Sequence, residues 1–328
     1  MLILIYSRLN NYFDMKSLII AREKEQAMLD RLLTEPTSQL LTVYGRRRIG
    51  KTFLIREYFD DNFAFKHTAV SPLEFKDSGF RGKHIITTEI EHASILEAMK
   101  RLAEDGFEVE YLKVNKEGVI SLDELREKVR KDTILVSIMH VNNEIGTIQP
   151  IEQAAQIIRQ NSHAMFHVDA IQSFGKLPVK FNGANGPDII SISGHKIHAL
   201  KGSGVVAFRK KPMLKPFIVG GGQEFGLRSG TVAVPQAVAM AKAARLAVEA
   251  MPTRLENYKK WSKELHDFFE TFGSEVYVLS SPQGAPHILS FSVRGLKGEI
   301  LINALQKRDI IVSTSSACSS KRSDSGFK

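Results

Sequence analysis

The sequence is poor in cysteine: a single residue, Cys318, serves all 328 positions. One thiol excludes an intrachain disulfide and leaves a side chain free to react, which fits a reducing cytoplasm. Long apolar runs are also missing. The opening Met1 to Tyr6 is apolar but far too short to cross a bilayer, and neither a basic flank nor a small-residue cleavage site makes it a secretion signal. No membrane partner is expected. Internal repeats and low-complexity tracts are absent. Acids are in deficit, 36 against 45 lysines and arginines, for a formal net charge of +9. That excess favours anionic ligands such as phosphates. No aromatic-basic motif accompanies it, so no direct nucleic-acid partner is expected. What is present is enough length and apolar content, 43 %, for a large α/β domain and a smaller one.

Residues 1–16 read as an N-terminal extension, with an ordinary soluble start at Met15. Residues 17–77 carry a different organisation: a helical pattern from Ala21 to Leu33, a buried strand Leu40–Tyr44, a glycine turn, then helical Phe53 to Tyr58. The turn, Gly45-Arg46-Arg47-Arg48-Ile49-Gly50-Lys51-Thr52, is GxxxxGK[ST] in the strand–loop–helix setting that the motif requires. Its backbone N–H groups and helix N-terminus surround a phosphate, Lys51 adds charge and Thr52 can ligate Mg²⁺. This segment resembles the start of a prokaryotic AAA-type P-loop ATPase, which implies ATP as a ligand of Gly45, Gly50, Lys51 and Thr52. No later apolar run ends in Asp-Glu, and no arginine-finger region can be placed. Hydrolysis is therefore not expected.

Between Ser71 and Lys83 the chain is polar, rich in turn formers and without period, and the junction is placed at 78–82. Beyond it, strands and helices alternate. Strands are expected at His84–Thr87, Glu108–Val114, Thr133–Met139, Met165–Asp169, Asp188–Ser193 and Gly204–Phe208. Helices are expected at Ala93–Glu104, Leu122–Val129 and Ile151–Arg159. Such alternation predicts an α/β fold: a mainly parallel sheet with helices on both faces. This large domain is assigned 83–245. Residues 246–328 hold its end and a partial small domain: a helical stretch from about Pro235 to Phe272, strands Ile288–Val293 and Ile310–Ser313, and a helix Gly298–Gln306.

In open α/β sheets the functional groups gather at the carboxyl ends of the strands. Phe166-His167-Val168-Asp169 ends one strand with an acid, and Ser191-Ile192-Ser193-Gly194-His195-Lys196 ends the next with a lysine. An amine and a carboxylate on adjacent strand ends are what a pyridoxal-phosphate site requires, the amine to form an imine and the acid to keep the pyridine nitrogen protonated. Alone, each is weak: a strand-end Asp is more often a helix cap, and a lysine more often surface charge.

Together the strings are more specific. HIITTEIEH (84–92), MHVNNEIG (139–146), HVDAIQS (167–173), SGHK (193–196), GGGQE (220–224) followed by LRSGT (227–231), and STSSACSS (313–320) occur in order over most of the chain. The sequence so resembles the NifS/IscS-like cysteine desulfurases of aminotransferase class V, which are fold-type I pyridoxal-phosphate enzymes. The resemblance implies that Lys196 anchors the cofactor, Asp169 pairs with its pyridinium nitrogen, and Gln172 and Asn143 hydrogen-bond its phenolic oxygen. It implies that His92 stacks on the ring and moves protons, although a His before a helix is more often a cap. Ser193 and His195 would hold the phosphate, and Thr231 the phosphate of a neighbouring subunit, making a homodimer. Cys318, in a serine-rich loop, would take sulfur from L-cysteine as a persulfide, release alanine, and pass sulfur to acceptor proteins for iron–sulfur clusters or tRNA thiolation.

Three family features do not appear: the Gly-Ala-Thr-Glu-type phosphate turn, the downstream arginine that would hold the substrate carboxylate, and most of the small domain. The expectation is a chain cut at both ends. Two other readings stay open, an inactive fusion of an ATPase start with a desulfurase fragment, and a P-loop nucleotide-binding protein.

Overall fold

The computed structural model describes residues 82–181, 185–210, 214–216 and 218–314, together with three short strands earlier in the chain. The chain divides into two compact units, Met1–Ala69 and Val70–Lys328. The division falls ahead of the expected junction at 78–82. In the first unit, β1 (Leu2–Ile5) pairs antiparallel with β2 (Gln39–Thr42), Leu2 opposite Thr42. The apolar start read as an extension thus supplies a strand, because its backbone groups gain a ladder partner. Gly45, Gly50, Lys51, Thr52 and the helices around them lie outside the described residues.

In the second unit, β3 (Glu74–Phe75) pairs antiparallel with β10 (Leu214–Lys215). The main sheet contains β4 (His84–Thr88), β5 (Glu108–Leu112), β6 (Thr133–Met139), β7 (Met165–Asp169), β8 (Ile189–Ser193) and β9 (Gly204–Phe208). Its order is β5-β4-β6-β7-β8-β9. All neighbours run parallel except β9, which closes one edge antiparallel to β8. Side chains alternate across a strand, so adjacent isoleucines of β4 face opposite layers. Ile85 packs with Ile95, Met99 and Leu102 of α1 (Ala93–Glu104). Ile86 joins the larger cluster with Leu125 of α2 (Leu122–Lys128) and Ala154 and Ile158 of α3 (Ile151–Asn161). Both faces are covered, which is why all seven residues of β6 are buried.

The expected 235–272 stretch is two helices, α4 (Val234–Glu249) and α5 (Met251–Glu270), meeting at Ala250. Pro252 explains the break: with no N–H and a fixed φ, it is tolerated in the first turn of a helix but not in its interior. Helix α4 comes close to the turn that follows β7. Gly175 has φ +72°, and a Cβ there would lie 2.6 Å from the Cβ of Ala247. A small antiparallel pair follows, β11 (Val276–Val278) with β12 (Phe291–Val293), then α6 (Gly298–Gln306). The strand expected at Ile310–Ser313 does not form. Asp309 turns into the left-handed region at φ 60°, and Ile311 is 91 % exposed with no ladder partner among the described residues.

Candidate active site

In the sheet order, β4 has its chain successor β5 on one side and β6 on the other, so the connections reverse between β4 and β6. The carboxyl ends around such a reversal form the crevice where α/β proteins bind ligands. Four segments leave the sheet there: 89–92 after β4, 140–143 after β6, 170–172 after β7 and 194–196 after β8.

Asp169 ends β7 and is 5 % exposed. Its Oδ1 accepts a 2.8 Å bond from the Ile171 N–H, which folds the chain back over the strand end. Burial raises its carboxyl above the ordinary range, and the Ile171 bond and the charge of nearby His92 act in the opposite direction. In register, Asp169 stands beside Met139 of β6 and Ser191 of β8. Two residues earlier, on the same side of β7, His167 lies between the hydroxyls of Ser137 and Ser191, each at 2.8 Å. Burial pulls that ring down to about 4, so it is neutral in the folded chain.

His92 is the N-cap of α1. Its Nδ1 accepts from the Ser94 N–H at 3.2 Å and lies 2.8 Å from the Ser94 hydroxyl. His92 thus caps the helix, as a His before a helix often does, and it stands close enough to Asp169 for its charge to act there. An imidazole that accepts at Nδ1 carries its proton on Nε2 when neutral.

Ser193 and His195 meet in the turn after β8, with Oγ 2.7 Å from Nδ1. Lys196 is exposed in the same turn. Lys176 is lowered to about 8, first by burial and then by the charge of Lys196. The Gln172 carbonyl accepts from His287 at 2.9 Å and from Lys176 at 3.4 Å. Asn143 is half-buried in the 141–146 loop. Thr231 is exposed just beyond Gly230, whose N–H donates to the Gln223 side chain. Cys318 lies outside the described residues. The fold thus brings His92, Asp169, Gln172, Ser193, His195 and Lys196 to neighbouring strand ends, with Asn143 in the loop after β6.

Three contributors escape a reading of the sequence. Asn142 organises its loop, Oδ1 accepting from the N–H groups of Glu144 and Ile145 while Nδ2 donates to the Ile90 carbonyl. His287 reaches Gln172 from 115 residues away, with its ring against Tyr258, and is lowered to about 4, mainly by burial. Glu91 is 5 % exposed; its Oε1 accepts from the Met139 N–H at 2.7 Å and the Thr88 hydroxyl at 2.9 Å. Burial, helped by the charge of Asp169, pushes Glu91 up to about 8 against those two hydrogen bonds.

A buried strand-end carboxylate lacking a lysine or arginine in contact among the described residues, an imidazole near it, an exposed amine in the next turn and a Ser–His pair suit an anionic, aromatic cofactor with a basic ring nitrogen. The donor set fits pyridoxal phosphate.

Residues 70–325 match the family model described as aminotransferase class-V. Similar curated relatives include the cysteine desulfurase IscS of Pectobacterium carotovorum, 45 % identical over 243 residues, or 73 % of this chain and 59 % of that protein. The NifS/IcsS protein homolog of Lactobacillus delbrueckii is 40 % identical over 265 residues, 80 % of this chain and 67 % of the relative. Among solved structures, a NifS-like protein aligns with TM-score 0.68 at 41 % identity, covering 71 % of this chain and 64 % of its own. The apo cysteine desulfurase from Thermococcus onnurineus aligns at 0.64 and 27 %, over 71 % of this chain and 62 % of that one. The chain therefore spans about three fifths of the length of the first of these curated relatives, 59 %. With the family match running through nearly all of the second unit and the expected mainly parallel sheet present, the chain belongs to aminotransferase class V, on the fold-type I α/β architecture.

Proposed function

We propose that this chain carries the core of a pyridoxal-phosphate-dependent cysteine desulfurase that moves sulfur from L-cysteine to Cys318 and releases L-alanine. The observation that carries the reading is buried Asp169 at the end of β7, with His92 beside it and the Lys196 turn on the adjacent strand. The desulfurase names of relatives at 42–45 % identity support it.

When bound, pyridoxal phosphate supplies an electron sink that weakens bonds at the substrate's reacting carbons. Asp169 would hold the proton on the ring nitrogen, and a buried carboxylate is stabilised by such a cation. Lys196 would anchor the cofactor; Gln172 and Asn143 would bond its phenolic oxygen. Ser193 and His195 would meet the phosphate, and Thr231 that of a second subunit in a homodimer. His92, its Nδ1 occupied by the cap, offers only Nε2 for proton movement. Cys318 acts as the nucleophile. The substrate's carbon–sulfur bond breaks, a sulfur–sulfur bond to Cys318 forms, and a proton goes to the carbon left behind, so cysteine and thiol become alanine and persulfide. Sulfur-acceptor proteins in a cytoplasmic setting, serving iron–sulfur or tRNA thiolation pathways, would complete the cycle. Among the described residues no helix is long and apolar enough to cross a membrane.

The test is to purify the chain with pyridoxal phosphate and record its visible spectrum beside that of Lys196→Ala. A lysine-dependent absorbance band is expected, together with sulfide release from cysteine that Cys318→Ala abolishes. Absence of the band in the unaltered chain sinks the proposal.

A further inference from the structure

Glu91 is a buried acid that the proposed chemistry leaves unassigned. It joins the two segments between which the sheet connections reverse. Its Oε1 is held by the Met139 N–H at 2.7 Å and the Thr88 hydroxyl at 2.9 Å. One residue earlier, the Ile90 carbonyl accepts from Asn142 Nδ2 at 3.1 Å. The turn that presents His92 is therefore tied twice to the end of β6, where Met139 stands in register with Asp169.

The second carboxyl oxygen, Oε2, is buried and has no hydrogen-bond partner. A charged carboxylate with one oxygen unsolvated and unpartnered is costly, whereas a neutral acid carries a far smaller penalty. The charge that acts on Glu91 is that of Asp169 from β7, and the charge of His92 acts in turn on Asp169. Two buried carboxyls close enough for one to feel the other's charge divide their roles, and the Ile171 N–H and the charge of His92 favour the charged form at Asp169. Burial and the charge of Asp169 push Glu91 in the same direction, up to about 8.

We infer that Glu91 is a positioning residue, a neutral carboxylic acid that braces the His92 turn against β6 and leaves Asp169 as the one charged carboxylate facing the cofactor. The reference to the cofactor rests on the function proposed above; the brace itself does not.

Shape and charge can be separated by two substitutions in the full chain. Glu91→Gln keeps the reach to Met139 without a charge, and Glu91→Asp keeps the acid but is one methylene too short. The first readout is the ring ¹H–¹⁵N spectrum of His92 at pH 7, assigned by its disappearance in His92→Asn. The second is pyridoxal-phosphate affinity from the Lys196-dependent absorbance. Glu91→Gln is expected to retain the pattern of bare Nδ1 and protonated Nε2, with affinity within about two-fold. Glu91→Asp is expected to lose that pattern and to bind about ten-fold more weakly, the effect of one lost hydrogen bond. The inference is overturned if Asp preserves the His92 spectrum and Gln does not, or if both variants match the parent. If even the parent shows no absorbance band, the functional proposal falls, and the His92 spectrum still decides the role of Glu91.

Discussion

Replacing His167 with Gln removes an imidazole that folding holds neutral. The ring is fully enclosed between Ser137 and Ser191 and falls from 6.5 to about 4 because burial disfavours its charge. Between these values the unfolded chain binds a proton that the folded chain does not. Stability is therefore fully present above pH 6.5 and is lost as pH drops toward 4. The shift corresponds to about 3 kcal/mol. His140 and His287, both lowered to about 4, titrate over the same window. Their contribution cancels when the variant is compared with the parent at each pH. Urea unfolding followed by circular dichroism from pH 7.5 to 4 should show the parent losing about 3 kcal/mol more than His167→Gln. A constant offset of about 1–3 kcal/mol is also expected in the variant, from a serine left without its partner. Parallel pH profiles would refute the reasoning, because they would mean that the ring is solvated or charged in the folded state.

Asp169→Asn should weaken pyridoxal-phosphate binding about 10- to 150-fold, the equivalent of losing one charge-assisted hydrogen bond, as read by absorbance titration. An unchanged affinity would remove Asp169 from the site. Gly175→Ala should destabilise the chain by about 2–4 kcal/mol in urea unfolding, combining left-handed strain with a Cβ driven into Ala247. Trimming the opposing side in the double variant Gly175→Ala, Ala247→Gly should recover part of that loss.

The strands of the large domain are legible because each is a short apolar run between turn signals, and β6, β7 and β9 lie where the pattern puts them. Asp169 and Lys196 stand out as polar groups that end such runs. Glu91 does not: an acid in a turn reads as a solvated residue, and only the packed fold shows it buried at 5 % exposure. Asn142 and Asn143 look equivalent in sequence, yet Asn142 has the loop-forming bonds, because neighbouring loop residues point in different directions. His287 has no local signal at all; its role depends on a contact made across 115 residues. The missing strand at 310–313 shows the converse, an apolar run that remains unpaired because no ladder partner is offered among the described residues. The helix pair at 234–270 was written in Pro252, whose position decides between one rod and two.

The cap made by His92, the residue proposed to move protons, changes how a loss-of-function variant should be interpreted. Alanine at that position would fray the start of α1 by about 1 kcal/mol as well as remove an imidazole. A deficit in turnover could then be mechanical rather than chemical. Asparagine can still cap the helix but cannot shuttle protons, so only that substitution divides the anchor from the relay.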